Sequence, residues 1–342
     1  MKTADFDYDL PPELIAQHPV EPRDSARLMV LDRSGEELTH ARFHELPRCL
    51  RPGDLLIFND TRVIPARLLA RKAGTGGRAE LLMLKRHAPL TWEVLVGGHG
   101  LTQGSVLEVE GAPHVRAVVI ETFDGPRRMV RFSEPITPVL ERVGQMPLPP
   151  YIHAELTDRE RYQTVYARVP GSAAAPTAGL HFTPALLERL RAAGVQTDYV
   201  TLHVGLDTFQ PVREVEADEH RIHGEWCELR PETAERINAA KRAGRRVIAV
   251  GTTSVRTLES AARGALDGTS VSPHVGATEL YILPGFQFRV VDGLITNFHL
   301  PRSTLLMLVA AFAGRERILA AYATARREGY RFYSFGDAML IA

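Results

Sequence analysis

Residues 145–151 read QMPLPPY, and this proline-rich stretch separates two kinds of sequence. Upstream, DLLIFNDTRVIPARLLA (54–70) opens a series of short strand-like runs. AELLML (79–84), WEVLV (92–96), VLEV (106–109), VRAVVI (115–120) and RRMVRF (127–132) follow, punctuated by AGTGG, GGHG and EGAP. Between about Val63 and Phe132 no apolar pattern recurs at helical spacing. Short strands at close intervals with glycine-rich turns predict a small β-barrel or sandwich.

Downstream, helices alternate with strands. Thr183-Pro184 predicts a capped helix ending before Gly194, because threonine accepts from orphan amides and proline suits the first turn. VQTDYVTLHV reads as a strand, 231–243 as a helix stopped by Gly244, RRVIAV as a buried strand and SVRTLESAARG as a helix. ELYIL is then expected as a strand, STLLMLVAAF and RERILAAYATARREG as helices, and YRFYSF as a final strand. This is α/β character.

The whole chain sets bounds on function. Its 342 residues are 44% hydrophobic and 24% charged, enough to bury a real core. Lys+Arg and Asp+Glu number 41 each, so any nucleic-acid surface must be a local patch rather than a global field. Cys49 and Cys227 lie far apart with no CxxC, which argues against a disulfide framework or zinc ribbon. MKTADFDYDLPPELIAQ lacks the apolar core of a signal peptide, and the longest apolar run, Leu305 to Ala313, is too short to span a bilayer. A cytoplasmic protein, without membrane attachment, is expected.

Several stretches have the residue types for chemistry. VIAVGTTSVRTLES (247–260) runs from an apolar strand through a glycine to Thr252, Thr253 and Ser254 at a helix start. Hydroxyls and amides there suit a carboxylate or ribose, or simply cap the helix. LITNFHLPRSTLL (294–306) bunches Asn297, His299, Arg302, Ser303 and Thr304 in the same way, as capping or as a site. DEHRIHGE (218–225) offers His220 and His223 among carboxylates. No third ligand is spaced for a metal, and a solvated acidic loop accounts for it as well. In GSAAAPTAGLHF (171–182), small side chains let a flat ligand approach the backbone beside Pro176, Thr177 and His181, or let two chain segments cross closely.

The chain also resembles the S-adenosylmethionine:tRNA ribosyltransferase-isomerase family of queuosine biosynthesis. The likeness begins with FDYDLPPELIAQHP (6–19), RDSARL (23–28), PGDLLIFNDTRVIPARL (52–68) and QMPLPPYI (145–152). It is densest in YQTVYARVPGSAAAPTAGLHFT (162–183), LHVGLDTFQPV (202–212), VGTTSVRTLES (250–260), TNFHLPRSTLLMLVAAFAG (296–314) and YRFYSFGDAML (330–340). Two departures stand out: Asp207 where the family usually has glycine, and Ile222 where it tends to have methionine.

The resemblance implies a discontinuous α/β domain (1–62 and 147–342) carrying an inserted β-barrel (63–146). It implies transfer of the ribosyl group of S-adenosylmethionine to 7-aminomethyl-7-deazaguanine at the tRNA wobble position. Isomerisation there gives epoxyqueuosine, with adenine and methionine released. The sulfonium acidifies the adjacent 5′ C–H, so the reaction needs a base, an acid and a water-poor pocket. Candidate catalytic residues are His181, His299, Glu259 and Asp337. Candidate substrate-binding residues are Pro176, Thr177, Gly179, His203, Thr252, Thr253, Ser254, Arg256, Asn297, Ser303 and Thr304. Arg62, Arg67, Lys241, Arg242, Arg245 and Arg246 are the candidate tRNA contacts. No metal and no permanently bound cofactor are expected, S-adenosylmethionine serving as co-substrate, and a monomer is expected. An S-adenosylmethionine-dependent RNA methyltransferase would normally show a glycine-rich loop after its first strand, which this chain lacks. A non-catalytic RNA-binding protein would explain the barrel and the basic clusters but leave the polar strand ends without a purpose.

Overall fold

The computed structural model describes residues 1–33, 35, 37–205, 211–222, 224–266 and 268–342. Asp207 and His223 lie outside the described residues. The chain forms two compact units, one of Met1–Arg62, Pro149–Val169 and Ala175–Ala342, the other of Val63–Leu148 and Pro170–Ala174.

In chain order the strands are β1 (Arg27–Leu31), β2 (Leu38–Arg42), β3 (Leu55–Asn59), β4 (Thr61–Val63), β5 (Arg67–Lys72), β6 (Arg78–Ala88), β7 (Thr91–Gly97), β8 (Val106–Val109), β9 (Ala112–Thr122) and β10 (Arg127–Phe132). After helix α1 (Thr137–Val143) come β11 (Val169–Ser172), α2 (Pro184–Ala192), β12 (Gln196–Leu202), β13 (Glu225–Leu229), α3 (Pro231–Arg242), β14 (Val247–Val250) and α4 (Thr252–Arg263). The chain closes with β15 (His274–Thr278), β16 (Gly293–Asn297), α5 (Thr304–Ala313), α6 (Arg315–Arg327) and β17 (Ala338–Ile341).

The larger unit is built on a sheet in the order β15-β13-β12-β3-β14-β16-β17-β1-β2. Its centre, β12, β3, β14 and β16, is parallel. Its two middle strands, β3 and β14, are apolar on both sides because both sides are covered. Leu55 and Ile57 of β3 enter one core, and Leu56 and Phe58 enter the other. Val247 and Ala249 of β14 divide from Ile248 and Val250 in the same way. Residues of α3 to α6 fill the first core, and Leu186 and Leu190 of α2 join the second. Thr183 caps α2, its hydroxyl accepting from the Leu186 amide at 3.1 Å. No helix among the described residues is long and apolar enough to cross a membrane.

The smaller unit contains a closed barrel, β10-β7-β6-β5-β8-β9, all of whose pairings are antiparallel. The alternation of β7, with Trp92, Val94 and Val96 buried, is that of a strand with one face inward. Gly144 closes the block: a Cβ there would lie 2.2 Å from the Pro65 carbonyl oxygen and 2.4 Å from that of Leu140. The α/β class with a β-barrel is thus the fold observed.

Two expected strands are displaced. ELYIL (279–283) is not a strand; the strand is His274–Thr278 just before it, paired antiparallel with β13. After Thr278 the chain leaves the ladder, and Leu280 and Ile282 sink into the core. YRFYSF (330–335) is not a strand either, and β17 is the AMLI that follows. Its aromatic rings pack instead against Phe298, whose ring centroid lies 5.5 Å from that of Tyr330 and 5.0 Å from that of Phe332. Tyr333 bends the backbone with a φ of 70°.

Candidate active site

Parallel strands end together, so β12, β3, β14 and β16 deliver His203, Asn59, Gly251 and Asn297 to one edge of the sheet. Ligands of open α/β sheets bind at that edge. Gly251 has a φ of 89°, which lets the chain turn from β14 into α4 and sets Thr252, Thr253 and Ser254 in the first helical turn. The Ser254 hydroxyl donates to the Val250 carbonyl at 2.8 Å. Ser303 caps α5, accepting from the Leu306 amide at 3.1 Å and donating to the Leu300 carbonyl at 2.8 Å, and Thr304 begins that helix. Helix capping therefore accounts for Ser303.

The segment around His181 reaches this edge from elsewhere in the chain. Thr177–His181 form a tight turn, closed where the Gly179 amide donates to the Pro176 carbonyl at 2.9 Å. The Thr177 hydroxyl donates to Asn297 Oδ1 at 2.9 Å. The Asn297 amide donates to the Tyr333 carbonyl at 3.1 Å and lies 3.4 Å from His181 Nε2. An amide NH2 only donates, so this contact assigns the lone pair to Nε2 and the proton to Nδ1. Tyr333 is a non-glycine residue at positive φ, and bonds to Asn297 and Phe298 hold it on both sides, its amide donating to the Phe298 carbonyl at 3.0 Å. Such backbone strain clusters where geometry serves a site.

Gly179 has a steric reason to be glycine. A Cβ there would stand 2.0 Å from the Tyr166 hydroxyl and 2.9 Å from Thr164 Cγ2. The hydroxyls of Tyr166 and Thr164 are buried and have no hydrogen-bond partner among the described residues. The small residues of this stretch thus serve a close crossing of segments as well as the approach to Asn297.

His181 is buried, its ring centroid 4.9 Å from that of Phe43. Burial first, then the charges of Arg331 and Arg23, lower its pKa to about 3, so the imidazole is neutral at pH 7. It lines a cavity of about 10 Å³ with Arg23, Arg161 and Ser334, room for one water. His299 is also buried and neutral, its pKa lowered to about 3 by burial. Its Nε2 lies 2.6 Å from the Thr296 hydroxyl, and its backbone is tied to the hydroxyls of Tyr8 and Tyr322.

A second polar group forms at the ends of β3 and β12. The Asn59 side chain makes four bonds: to the Leu202 carbonyl (3.0 Å), to Thr253 Oγ1 (3.1 Å), and from the amides of Leu202 (3.0 Å) and Thr61 (3.1 Å). The Thr61 hydroxyl lies 2.8 Å from His203 Nδ1. Burial lowers the pKa of His203. Between them Asp60, with no exposure, accepts from Thr201 at 2.7 Å and from Arg168 at 2.7 Å, with Arg230 at 3.5 Å. Sequence reasoning took arginines from NDTRVIPAR and missed Asn59, Asp60 and Thr61. The signal was there: Asn59, Asp60 and Thr61 directly follow the apolar run LLIF.

Other candidates hold the frame. Arg256 is buried against Glu225 and donates to the carbonyls of Leu280 (3.0 Å) and Thr278 (3.2 Å). Glu259 accepts from three consecutive amides, Arg289 to Val291, at 3.0 to 3.1 Å. Asp337 accepts from the amides of Arg27 and Arg331, both at 2.8 Å.

The 241–246 cluster sits at the opposite edge of the sheet, ahead of the first residue of β14. There Lys241 pairs with Asp292 (2.8 Å) and Arg246 with Asp54 (2.6 Å), while Arg242 and Arg245 are exposed. Arg62 pairs with Glu160, and Arg67 pairs with Glu80 at 3.0 Å. Among the described residues no three His, Cys, Asp or Glu side chains gather as a metal site, and His220 Nδ1 bonds Glu214 at 2.9 Å.

Residues 3–341 match the profile of a family described as queuosine biosynthesis protein. A protein of Desulfitobacterium hafniense called S-adenosylmethionine:tRNA ribosyltransferase-isomerase is 54% identical, each chain covered in full. One of the same name from Thermus thermophilus is 55% identical over 98% of both chains. The crystal structure of an S-adenosylmethionine tRNA ribosyltransferase from Thermotoga maritima is 40% identical. It aligns with a TM-score of 0.58 over 99% of this chain and 100% of its own.

Proposed function

The chain belongs to the queuosine biosynthesis protein family, and from that premise we propose that it is a tRNA ribosyltransferase-isomerase. It transfers the ribosyl group of S-adenosylmethionine to the aminomethyl group of 7-aminomethyl-7-deazaguanine at the wobble position and isomerises it, releasing adenine and methionine. The α/β domain (1–62 and 147–342) carries the chemistry and the barrel (63–146) is an insertion. The enzyme works as a cytoplasmic monomer without a permanently bound cofactor.

One observation carries the assignment of roles: a neutral, buried imidazole whose tautomer Asn297 fixes beside Thr177, at the carboxyl edge of the sheet. In this reading His181 accepts the 5′ proton that the sulfonium has acidified. An imidazolium is costly in that setting, which favours passing the proton on to the departing adenine. His181 is preferred over His299 because it lines a cavity, whereas the His299 Nε2 is held by Thr296. Thr177, Asn297, Thr253 and His203 orient the sugar and base, with Thr252 and the α4 amides nearby. Arg62, Arg67 and the 241–246 cluster are candidate contacts to phosphates, which makes tRNA binding salt-sensitive despite zero net charge.

The test is release of adenine from S-adenosylmethionine with substrate tRNA present. A methyltransferase yields S-adenosylhomocysteine instead, and a binding protein yields nothing. His181→Ala is expected to lose turnover by about a hundredfold or more while still binding both substrates. Near-normal turnover in that variant would remove His181 from the chemistry.

A further inference from the structure

One side of β12, β13 and β15 is covered, burying Val200, Leu202, Glu225, Cys227, Leu229 and Thr278, but on the other side Trp226 of β13 remains 38% exposed and Val275 of β15 66% exposed. Trp226 pairs in register with Ala277, also exposed. The indole is stacked on His203, ring centroids 5.0 Å apart and planes 21° apart. His203 is in turn held by Thr61, so the stack cannot swivel freely. An exposed aromatic ring backed by an oriented neutral ring is a preformed platform.

Beside it lies a cationic pair. Arg168 and Arg230 share the single buried carboxylate of Asp60, which leaves one positive charge in excess. Their side chains remain 52% and 40% exposed, so each guanidinium keeps donors for a further acceptor. The Arg168 guanidinium sits 4.7 Å above the Tyr199 ring, which fixes its plane. Glu228, half-buried, is the carboxylate on the same side of β13. The platform is also close to the candidate site, through Trp226 to His203 to Thr61 to Asn59 to Thr253.

We infer that this face receives the unpaired anticodon loop of the substrate tRNA, a base stacking on Trp226 while Arg168 and Arg230 take the adjoining phosphate. The inference rests on the ribosyltransferase reading above, since that reaction brings a single-stranded loop to this edge of the sheet. An aromatic platform with neighbouring arginines is the arrangement that binds single-stranded nucleic acid, because every base has a π face and every link a phosphate.

The chain has two tryptophans, and the other, Trp92, is buried in the barrel. In a Trp92→Phe protein Trp226 is therefore the sole indole. Titration with an anticodon stem-loop carrying 7-aminomethyl-7-deazaguanine is expected to quench its fluorescence. Trp226→Ala is expected to weaken stem-loop affinity by about 5- to 150-fold, the effect of losing one stacked base. Trp226→Phe should recover most of it, which a general unfolding effect would not allow. Arg230→Gln should lower the slope of log affinity against log salt by about 0.7, one phosphate contact on a single strand. Unchanged affinity in Trp226→Ala, with wild type binding the stem-loop and releasing adenine, overturns this inference and leaves the reaction standing. A wild-type protein that neither binds the stem-loop nor releases adenine overturns both. A change in the mass of the assembly in solution in Trp226→Ala, with RNA affinity intact, would overturn the inference and reassign the face to a second protein chain.

Discussion

Gly179→Ala is the substitution whose consequence follows most directly from the coordinates. The new methyl would stand 2.0 Å from the Tyr166 hydroxyl oxygen, far inside contact, so the turn 177–181 or the phenol must move by an ångström or more. Overpacking of that kind costs about 1–3 kcal/mol, against about 0.4–1 kcal/mol returned by a less flexible unfolded chain. Tyr166→Phe removes the offending atom. The nearest remaining neighbours are Thr164 Cγ2 at 2.9 Å and the Tyr166 ring carbon at 3.1 Å, which a shift of a few tenths of an ångström relieves. Tyr166→Phe by itself is expected to be neutral or stabilising by about 1 kcal/mol, because its hydroxyl is buried without a partner among the described residues. Urea unfolding of the two single variants and the double should therefore show a coupling of about 1–2 kcal/mol. The same turn presents Thr177 and His181, so adenine release should fall in Gly179→Ala and recover in the double variant. If Gly179→Ala costs the same with tyrosine or phenylalanine at 166, the crossing described here is wrong.

Two further outcomes are expected. Between pH 6.5 and 3 the unfolded chain protonates histidines that stay neutral when folded. Stability from His181 and His299 is thus complete above pH 6.5 and falls with pH, by about 1.4 kcal/mol per unit for each histidine. Urea midpoints at pH 7.5, 6 and 5 should show a shallower fall in His181→Gln than in wild type. Glu225→Leu should cost about 3–5 kcal/mol by leaving the Arg256 guanidinium buried without its carboxylate, and adding Arg256→Met should recover much of that. A strictly additive double variant, measured by calorimetry, would deny the coupling.

The barrel was legible because its strands are short, some of them alternate as β7 and β8 do, and glycines punctuate them, all local properties. The parallel core was legible for the same reason: LLIF and VIAV are short apolar runs bounded by turn signals. ELYIL and YRFYSF misled because alternating bulk also describes a loop that feeds side chains into a core, as Leu280, Ile282, Tyr330 and Phe332 do. Asn297, Thr177 and His181 could be named from sequence, but that the first links to the second and third depends on a crossing of segments 120 and 116 residues apart. Glu259 and Asp337 were named as catalytic candidates, and the amides that each accepts from could not be foreseen, because sequence does not reveal which amides will need an acceptor.

The order of the large sheet bears on how the protein is made. β1 comes before the other strands of the sheet in chain order yet lies between β2 and β17, and β17 comes after all of them. At ribosomal rates the partner of Leu28–Leu31 emerges about 15–60 s later, roughly 300 residues downstream. Until then the β1–β2 hairpin offers a bare edge of Met29, Val30 and Leu31 to any other extended chain. Deleting Ala338–Ile341 would make that exposure permanent, so the deletion should turn a folding polypeptide into a substrate for chaperones and proteases.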